Sequence, residues 1–235
     1  MVSSKLTLLA FLPALATAAQ LGINNWCGQT VYVAQSHCGS CDYGEEGKGK
    51  CLRDGGKPIA IAGGNGKGSE RRIEYNRGGC GTSIKISKGD SSFRSGILQF
   101  EYNWPADGMY WDLSDLDGKG NGLVGTPFRN DNVKVSPTGA GEGQGTCLKI
   151  RCPAGKVCLD SYQHPADPNT RYCPANTGDM WLDLCQPNGG FNNKRETIAP
   201  AAVGGGVDRH HALNVPQEFR ANEKVAEKRE VAFTA

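Results

Sequence analysis

Residues 97–118 read ILQFEYNWPADGMYWDLSDLDG, and their periodicity decides the fold class. Leu98, Phe100, Tyr102 and Trp104 alternate with Gln99, Glu101 and Asn103. A period of two belongs to a strand with one face in a core and the other polar, which puts Glu101 on the polar face. Pro105-Ala106-Asp107-Gly108 supplies turn chemistry. If Met109 to Leu116 returns as the partner strand, a four-residue loop sets Trp104 against Met109, Tyr102 against Trp111 and Glu101 against Asp112. Cβ atoms of such neighbours lie roughly 5 Å apart, where like charges oppose pairing. Folding alone gives no reason to place two carboxylates there, whereas a site that uses acids does. The alternative is a bulge that offsets the two and leaves both in water.

Outward from this hairpin, short strand-like runs recur between glycine clusters, and helical periodicity is almost absent. The runs are Gln29 to Ala34, Ile59 to Ala62, Arg71 to Tyr75, Ser83 to Lys88, Val133 to Val135, Thr146 to Arg151 and Met180 to Leu184. Turn residues separate nearly all of them, so the predicted fold is all-β, a sandwich or barrel. The glycine-rich stretches at 63–68 and 139–145 are loops. Neither precedes a helix or carries the Lys-Ser/Thr of a phosphate loop.

At the N-terminus, Lys5 is followed by the apolar run Leu6 to Leu15 and then Ala16-Thr17-Ala18-Ala19. The run is shorter than the roughly 20 residues of a membrane span and ends in small residues, as a secretory signal does, so residues 1–18 are expected to be removed. The C-terminus EKREVAFTA offers no lipid-anchor signal. All ten cysteines lie beyond the signal, and an even count in an exported chain predicts disulfides and a secreted location. The last is Cys185. The folded domain is expected at 19–187, and residues 188–235, rich in Gly, Ala, Asn and charge, are expected to form a disordered tail carrying the dibasic pairs Lys194-Arg195 and Lys228-Arg229. Acidic and basic residues balance within the domain, which argues against nucleic acid as a partner. No membrane partner is implied, and a monomer is expected.

Several segments resemble the thaumatin-like family. Asn25-Trp26-Cys27 with Thr30-Val31-Tyr32 is similar to its opening strand, Phe100-Glu101-Tyr102 to the strand carrying its glutamate, and Tyr110-Trp111-Asp112-Leu113-Ser114 with Asp117-Gly118 to its aspartate segment. Cys147-x4-Cys152 matches a family cysteine pair, and Cys158 to Pro187 is similar throughout to the family's closing segment. Only five residues separate Cys152 from Cys158, where larger members carry a second, disulfide-rich domain. The resemblance is therefore to the small, ten-cysteine type, in particular the fungal antigenic thaumatin-like branch. It implies a thaumatin-like β-sandwich held by five disulfides: Cys27 with Cys185, Cys147 with Cys173 and Cys152 with Cys158. Cys38, Cys41, Cys51 and Cys80 depart from the plant pattern and stay in one of three pairings.

The family's cleft carries one arginine, one glutamate and three aspartates. By position the resemblance gives Glu101, Asp112, Asp117 and Asp167 as the acids. The arginine has no match, and Lys85 is the nearest cation, a point charge without the guanidinium fork. Some members hydrolyse β-1,3-glucan weakly, which would suit Glu101 as acid and Asp112 as base or nucleophile. Trp104 and Tyr110 are candidates to stack on sugar rings, while Trp111 is assigned to the core and Asp167, before Pro168, can equally be a turn residue. The Cys38-x-x-Cys41 spacing of redox and zinc sites is followed by no helix, and an exported chain favours disulfides there. Asp115, Asp117 and Gly118 would sit in a calcium loop only with Leu113 first and Val124 twelfth, which fails. No metal or cofactor is expected. The expected function is binding of cell-wall polysaccharide, β-1,3-glucan, through an acidic cleft with at most weak glucanase activity. The alternative is a secreted antigen or effector that binds or inhibits an extracellular host protein, its cleft vestigial.

Overall fold

The computed structural model describes residues 19–38, 40–43, 57–64, 68–77, 80–116 and 127–191, with only the backbone of 40–43. Twelve strands and one short helix follow in order: β1 (Gln20–Asn25), β2 (Val31–His37), β3 (Ser40–Tyr43), β4 (Ile59–Ile61), β5 (Ser69–Glu74), β6 (Thr82–Lys88), β7 (Leu98–Asn103), β8 (Gly108–Ser114), β9 (Val133–Gly139), β10 (Ile150–Cys152), β11 (Arg171–Pro174), β12 (Thr177–Leu184) and α1 (Asn188–Phe191). They form two sheets. The first runs β10-β9-β12-β1-β5, and the second runs β11-β8-β7-β6-β2-β3 with β4 also paired to β2. The architecture is the all-β sandwich expected.

Alternation explains both faces of each sheet. In the first, Leu21, Ile23, Val135, Met180 and Leu182 point inward and are fully buried; in the second, Val31, Val33, Ile84, Ile86, Phe100, Trp111 and Leu113 meet them in one core. The β7–β8 hairpin is central to that core. Phe100 and Trp111 stack with centroids 5.7 Å apart, and the Trp111 indole donates to the Cys173 sulfur at 3.1 Å.

The structure extends the sequence reading at several places. β1 lies just past the expected signal and was hidden by Gly22 and the asparagines; it pairs in parallel with β12, setting Gly22 against Trp181. A glycine inside a strand marks a close approach. Here a Cβ on Gly22 would lie 2.4 Å from the Trp181 ring. β9 continues through Pro137, because β10 pairs only Val133 to Val135 and the proline falls where that edge is unpaired. The expected strand from Thr146 begins only at Ile150, since Cys147 belongs to a turn in which its N–H donates to the Gln144 carbonyl. β3 and β11 were not foreseen as strands.

Disulfides join Cys27 to Cys185, Cys147 to Cys173 and Cys152 to Cys158, the pairs implied by the resemblance. Cys38 joins Cys80, which selects one of the three remaining pairings. Cys51, which that pairing leaves for Cys41, lies outside the described residues, as do residues 1–18, the expected signal, and Asp117. The described structure continues past Pro187, where the domain was expected to end. Asn188 to Phe191 forms α1, Phe191 is buried, and the Asn132 amide donates to Asn188 Oδ1 at 2.8 Å. Residues 192–235 lie outside the described region.

Candidate functional site on the polar face of the hairpin

Glu101 of β7 stands opposite Asp112 of β8, Tyr102 opposite Trp111 and Asn103 opposite Tyr110, in one unbroken register. No bulge offsets the acids. On the other side of Glu101 is Ser83 of β6, so Ser83, Glu101 and Asp112 form a row across three strands. The next row is Lys85, Gln99 and Ser114, where Lys85 Nζ and Ser83 Oγ both donate to Gln99 Oε1, at 2.8 and 2.9 Å.

The two acids differ in environment. Glu101 is half-buried, whereas Asp112 is only 2 % exposed. Burial, reinforced by the negative charge of Glu101, holds the Asp112 carboxyl well above the usual carboxylate range. Asp112 Oδ1 is buried without a hydrogen-bond partner among the described residues, and so is Asn103 Oδ1 on the same face. Two unanswered buried acceptors, one of them on the raised carboxyl itself, are costly to folding. Tyr110 shares this face, its ring 5.0 Å from that of Tyr172 on β11.

Other expected site residues are placed elsewhere. Trp104 continues the inward side of β7 and is 4 % exposed. It lies against Tyr75 at 5.0 Å, and the Arg77 guanidinium sits 4.2 Å from its ring, away from the acid pair. Asp167 clamps a turn: its Oδ2 accepts from the backbone N–H groups of Gln163 and His164 at 2.7 and 2.8 Å. Lys85 shares the acid face but is 8 % exposed, its ammonium turned to Gln99.

The sequence reading missed the part played by Asp115. Its carboxylate is buried and accepts from Ser161 Oγ at 2.8 Å and Gln163 Nε2 at 2.5 Å, while its N–H donates to the Tyr162 carbonyl. These bonds tie the segment after Cys158 to the end of β8. Only the partners, 46 and 48 residues away, could have shown it. Among the described residues no group of His, Cys, Asp and Glu has a metal-binding arrangement, and no helix is long and apolar enough to cross a membrane.

Comparison with known proteins places this architecture. Residues 55–186, more than half of the chain, match the family Bys1, Blastomyces yeast-phase-specific protein. The chain is similar to the secreted thaumatin-like protein calA of Emericella nidulans, 36 % identical over 110 residues that cover 46 % of this chain and 57 % of that relative. It is also similar to the antigenic thaumatin-like protein of Arthroderma benhamiae, 28 % identical over 196 residues, or 80 % of this chain and 83 % of the relative. Among solved structures it is similar to the protein elicitor MoHrip2 from Magnaporthe oryzae, with TM-score 0.47, 20 % identity and coverage of 72 % of this chain and 99 % of that one. It is similar as well to the thaumatin-like xylanase inhibitor TLXI, with TM-score 0.41, 12 % identity and coverage of 71 % and 99 %. Secreted relatives and the disulfide set make the protein extracellular. With its two-sheet fold, its cysteine pairs and the family match, this chain belongs to the Blastomyces yeast-phase-specific protein family, Bys1, and is a thaumatin-like protein.

Proposed function

We propose that the protein binds wall polysaccharide of the β-1,3-glucan type across the polar face of its second sheet, with at most weak hydrolysis. The observation that carries this reading is the in-register Glu101–Asp112 pair beside the unpartnered acceptors Asp112 Oδ1 and Asn103 Oδ1. A glucan chain brings hydroxyl donors to the half-buried Glu101 and a ring for Tyr110 to stack against. Asp117 lies outside the described residues, and Asp167 and Lys85 act at the margin through the turn and the Gln99 network that they hold.

In this reading the expected roles of the two acids are exchanged. Burial and the Glu101 charge raise the Asp112 carboxyl, so Asp112 is the acid that holds a proton more tightly, and half-buried Glu101 is the one nearer a ligand. Two carboxyls on facing strands are the pair of groups that glycoside hydrolysis uses. An acid that is buried cannot readily reach a glycosidic oxygen, which keeps any turnover small.

Co-sedimentation with insoluble β-1,3-glucan tests the reading. Wild type and Glu101→Gln should both bind, Tyr110→Ala should bind several-fold more weakly, and any hydrolysis should fall about 10²-fold or more in Glu101→Gln. Wild type that neither binds nor cleaves a β-glucan sinks it. The protein-partner reading would then take its place, and one observation favours that reading: Leu159 is 83 % exposed at a turn braced by the Cys152–Cys158 bond and by Asn169 Nδ2 donating to its carbonyl. A side chain held out on a rigid turn offers a partner a preorganised apolar contact.

A further inference from the structure

Leu98 of β7 and Leu113 of β8 lie on the core side of the hairpin, opposite to Glu101 and Asp112. With Phe128 and Val133 they floor a cleft at the end of the core, about 380 Å³ counted out to its open mouth. Two turns form the rim. The turn before β9 carries Arg129, and the loop from Pro153 to Val157, closed by the Cys152–Cys158 bond, carries Lys156. These turns are tied to each other: the Gly155 N–H donates to the Arg129 carbonyl at 2.8 Å, and the Ala154 N–H donates to Asn132 Oδ1 at 3.0 Å. Just beyond Cys158, Asn169 Nδ2 donates to the carbonyls of Leu159 and Ser161 at 3.2 and 2.7 Å. On this frame Val157 is 38 % exposed and Leu159 83 % exposed.

Charge at this corner is uneven. Lys88, Arg129, Lys156 and Arg171 stand against Asp115, Asp131 and Asp160, an excess of one cation. Each carboxylate is already engaged. Asp131 pairs with Lys88, Asp160 pairs with Arg171 at 3.1 Å, and Asp115 accepts from Ser161 and Gln163. The side chains of half-buried Arg129 and exposed Lys156 are left without a hydrogen-bond or ion-pair partner among the described residues. Two unanswered cations and two exposed aliphatic side chains therefore share one rigid rim. A neutral glycan leaves both cations unanswered, and an anionic glycan gives Val157 and Leu159 nothing apolar to cover them. A free small molecule is buried over most of its surface in its site, which a cleft this open does not do.

We propose that this corner is an interaction surface for an acidic segment of another protein, whose carboxylates pair with Arg129 and Lys156 while an apolar side chain enters the cleft beside Val157 and Leu159. Such a segment answers the charge and covers the apolar surface together. The ties across the rim mean that little has to be ordered when it docks, and the unpaired cations steer it there. The surface uses neither Glu101 nor Asp112, so it stands or falls apart from the glucan reading.

Selection of random dodecapeptides displayed on phage against the immobilised, full mature chain tests this. It should enrich sequences in which Asp or Glu neighbours Leu, Ile or Phe. A fluorescein-labelled copy of the most enriched peptide should bind wild type and Glu101→Gln alike, and its affinity should fall as salt rises from about 50 to 300 mM. Arg129→Glu and Lys156→Glu should each weaken it about tenfold or more, and Leu159→Ser several-fold. None of the three side chains is buried, so each variant should melt within about two degrees of wild type. Their co-sedimentation with insoluble β-1,3-glucan should match wild type, which separates this surface from the acid face. Enriched peptides without acidic residues, binding indifferent to both charge reversals, or no enrichment at all overturns the proposal. Pelleting with phosphatidylserine vesicles that Lys156→Glu abolishes, with no peptide enriched, assigns the corner to a lipid surface and overturns it as well.

Discussion

Asp112 is the residue at which folding and use conflict. Its carboxyl is buried, opposite Glu101 and short of a partner for Oδ1, and all three circumstances disfavour charge. In the folded chain its pKa lies above that of the unfolded chain, so the folded state holds the proton more tightly. The stability this provides is fully present below the unfolded value, near pH 4, and is lost as pH rises through the folded value. Asp112→Asn should therefore raise stability at pH 7 by on the order of 1–3 kcal/mol and leave it nearly unchanged near pH 4. Thermal melts of both proteins between pH 4 and pH 8 check this. A melting temperature lowered by the change at pH 7 would mean that the charged form is the one stabilised. The pairing of Glu101 with Asp112 was legible from alternation and a four-residue loop alone, because strand period and turn length fix register. Which acid of the pair is the more buried was not, since burial depends on what packs around it.

At the scale of elements, the hairpin is held from its far side by β11, which sets Cys173 against Met109 and Pro174 against Gly108. The approach is close. A Cβ on Gly108 would lie 2.4 Å from the Cys173 carbonyl oxygen and 2.8 Å from the Tyr172 hydroxyl. Backbone cannot move aside as a side chain can, so Gly108→Ala should push β11 from β8 and cost about 1–3 kcal/mol, a fall of roughly 3–10 °C in Tm. Gly81→Ala, where no atom lies within 4 Å of the added carbon, should stay within about 0.5 kcal/mol of wild type. Calorimetry of the two variants side by side gives the comparison. Strands whose alternation was uninterrupted, such as β6 and β7, were legible in the sequence. β1 and β11 were not, because Gly22 and Pro174 break the pattern and only pairing with β12 and β8 makes strands of them.

For the whole molecule, closure depends on the two ends of the domain meeting. β1 and β12 pair in parallel from Leu21 with Met180 to Asn25 with Leu184, and Cys27–Cys185 bonds just beyond. With the two cysteines 158 positions apart, the chain-entropy model assigns that bond about 5 kcal/mol, so replacing both by serine should lower Tm by roughly 10–20 °C. A loss of only a degree or two would show that the parallel pairing alone keeps the ends together. The C-terminal limit can be tested in the same way. A chain ended after Phe191 keeps α1, whereas one ended after Pro187 loses a side chain that is 5 % exposed and the Asn132–Asn188 bond. The shorter chain should be about 2–4 kcal/mol less stable by denaturant melts. Equal stability would place the boundary back at Pro187.

By itself the sequence determined the two-layer β architecture, the export and oxidation of the chain, the hairpin register and, through likeness to a family, three cysteine pairs. These follow from local quantities: the period of apolar residues, turn chemistry, an apolar leader and cysteine spacing. Tertiary structure alone decided that Trp104 goes inward while Trp26 and Trp181 lie on glycines outside, that Asp167 clamps a turn and that Asp115 anchors a segment 46 residues away. It also decided that Asp112, rather than Glu101, is the buried acid of the pair. Each of these depends on which surfaces distant strands bring together, and the free energy of a buried charge or an exposed ring is set by those neighbours and not by the residues beside it in the chain.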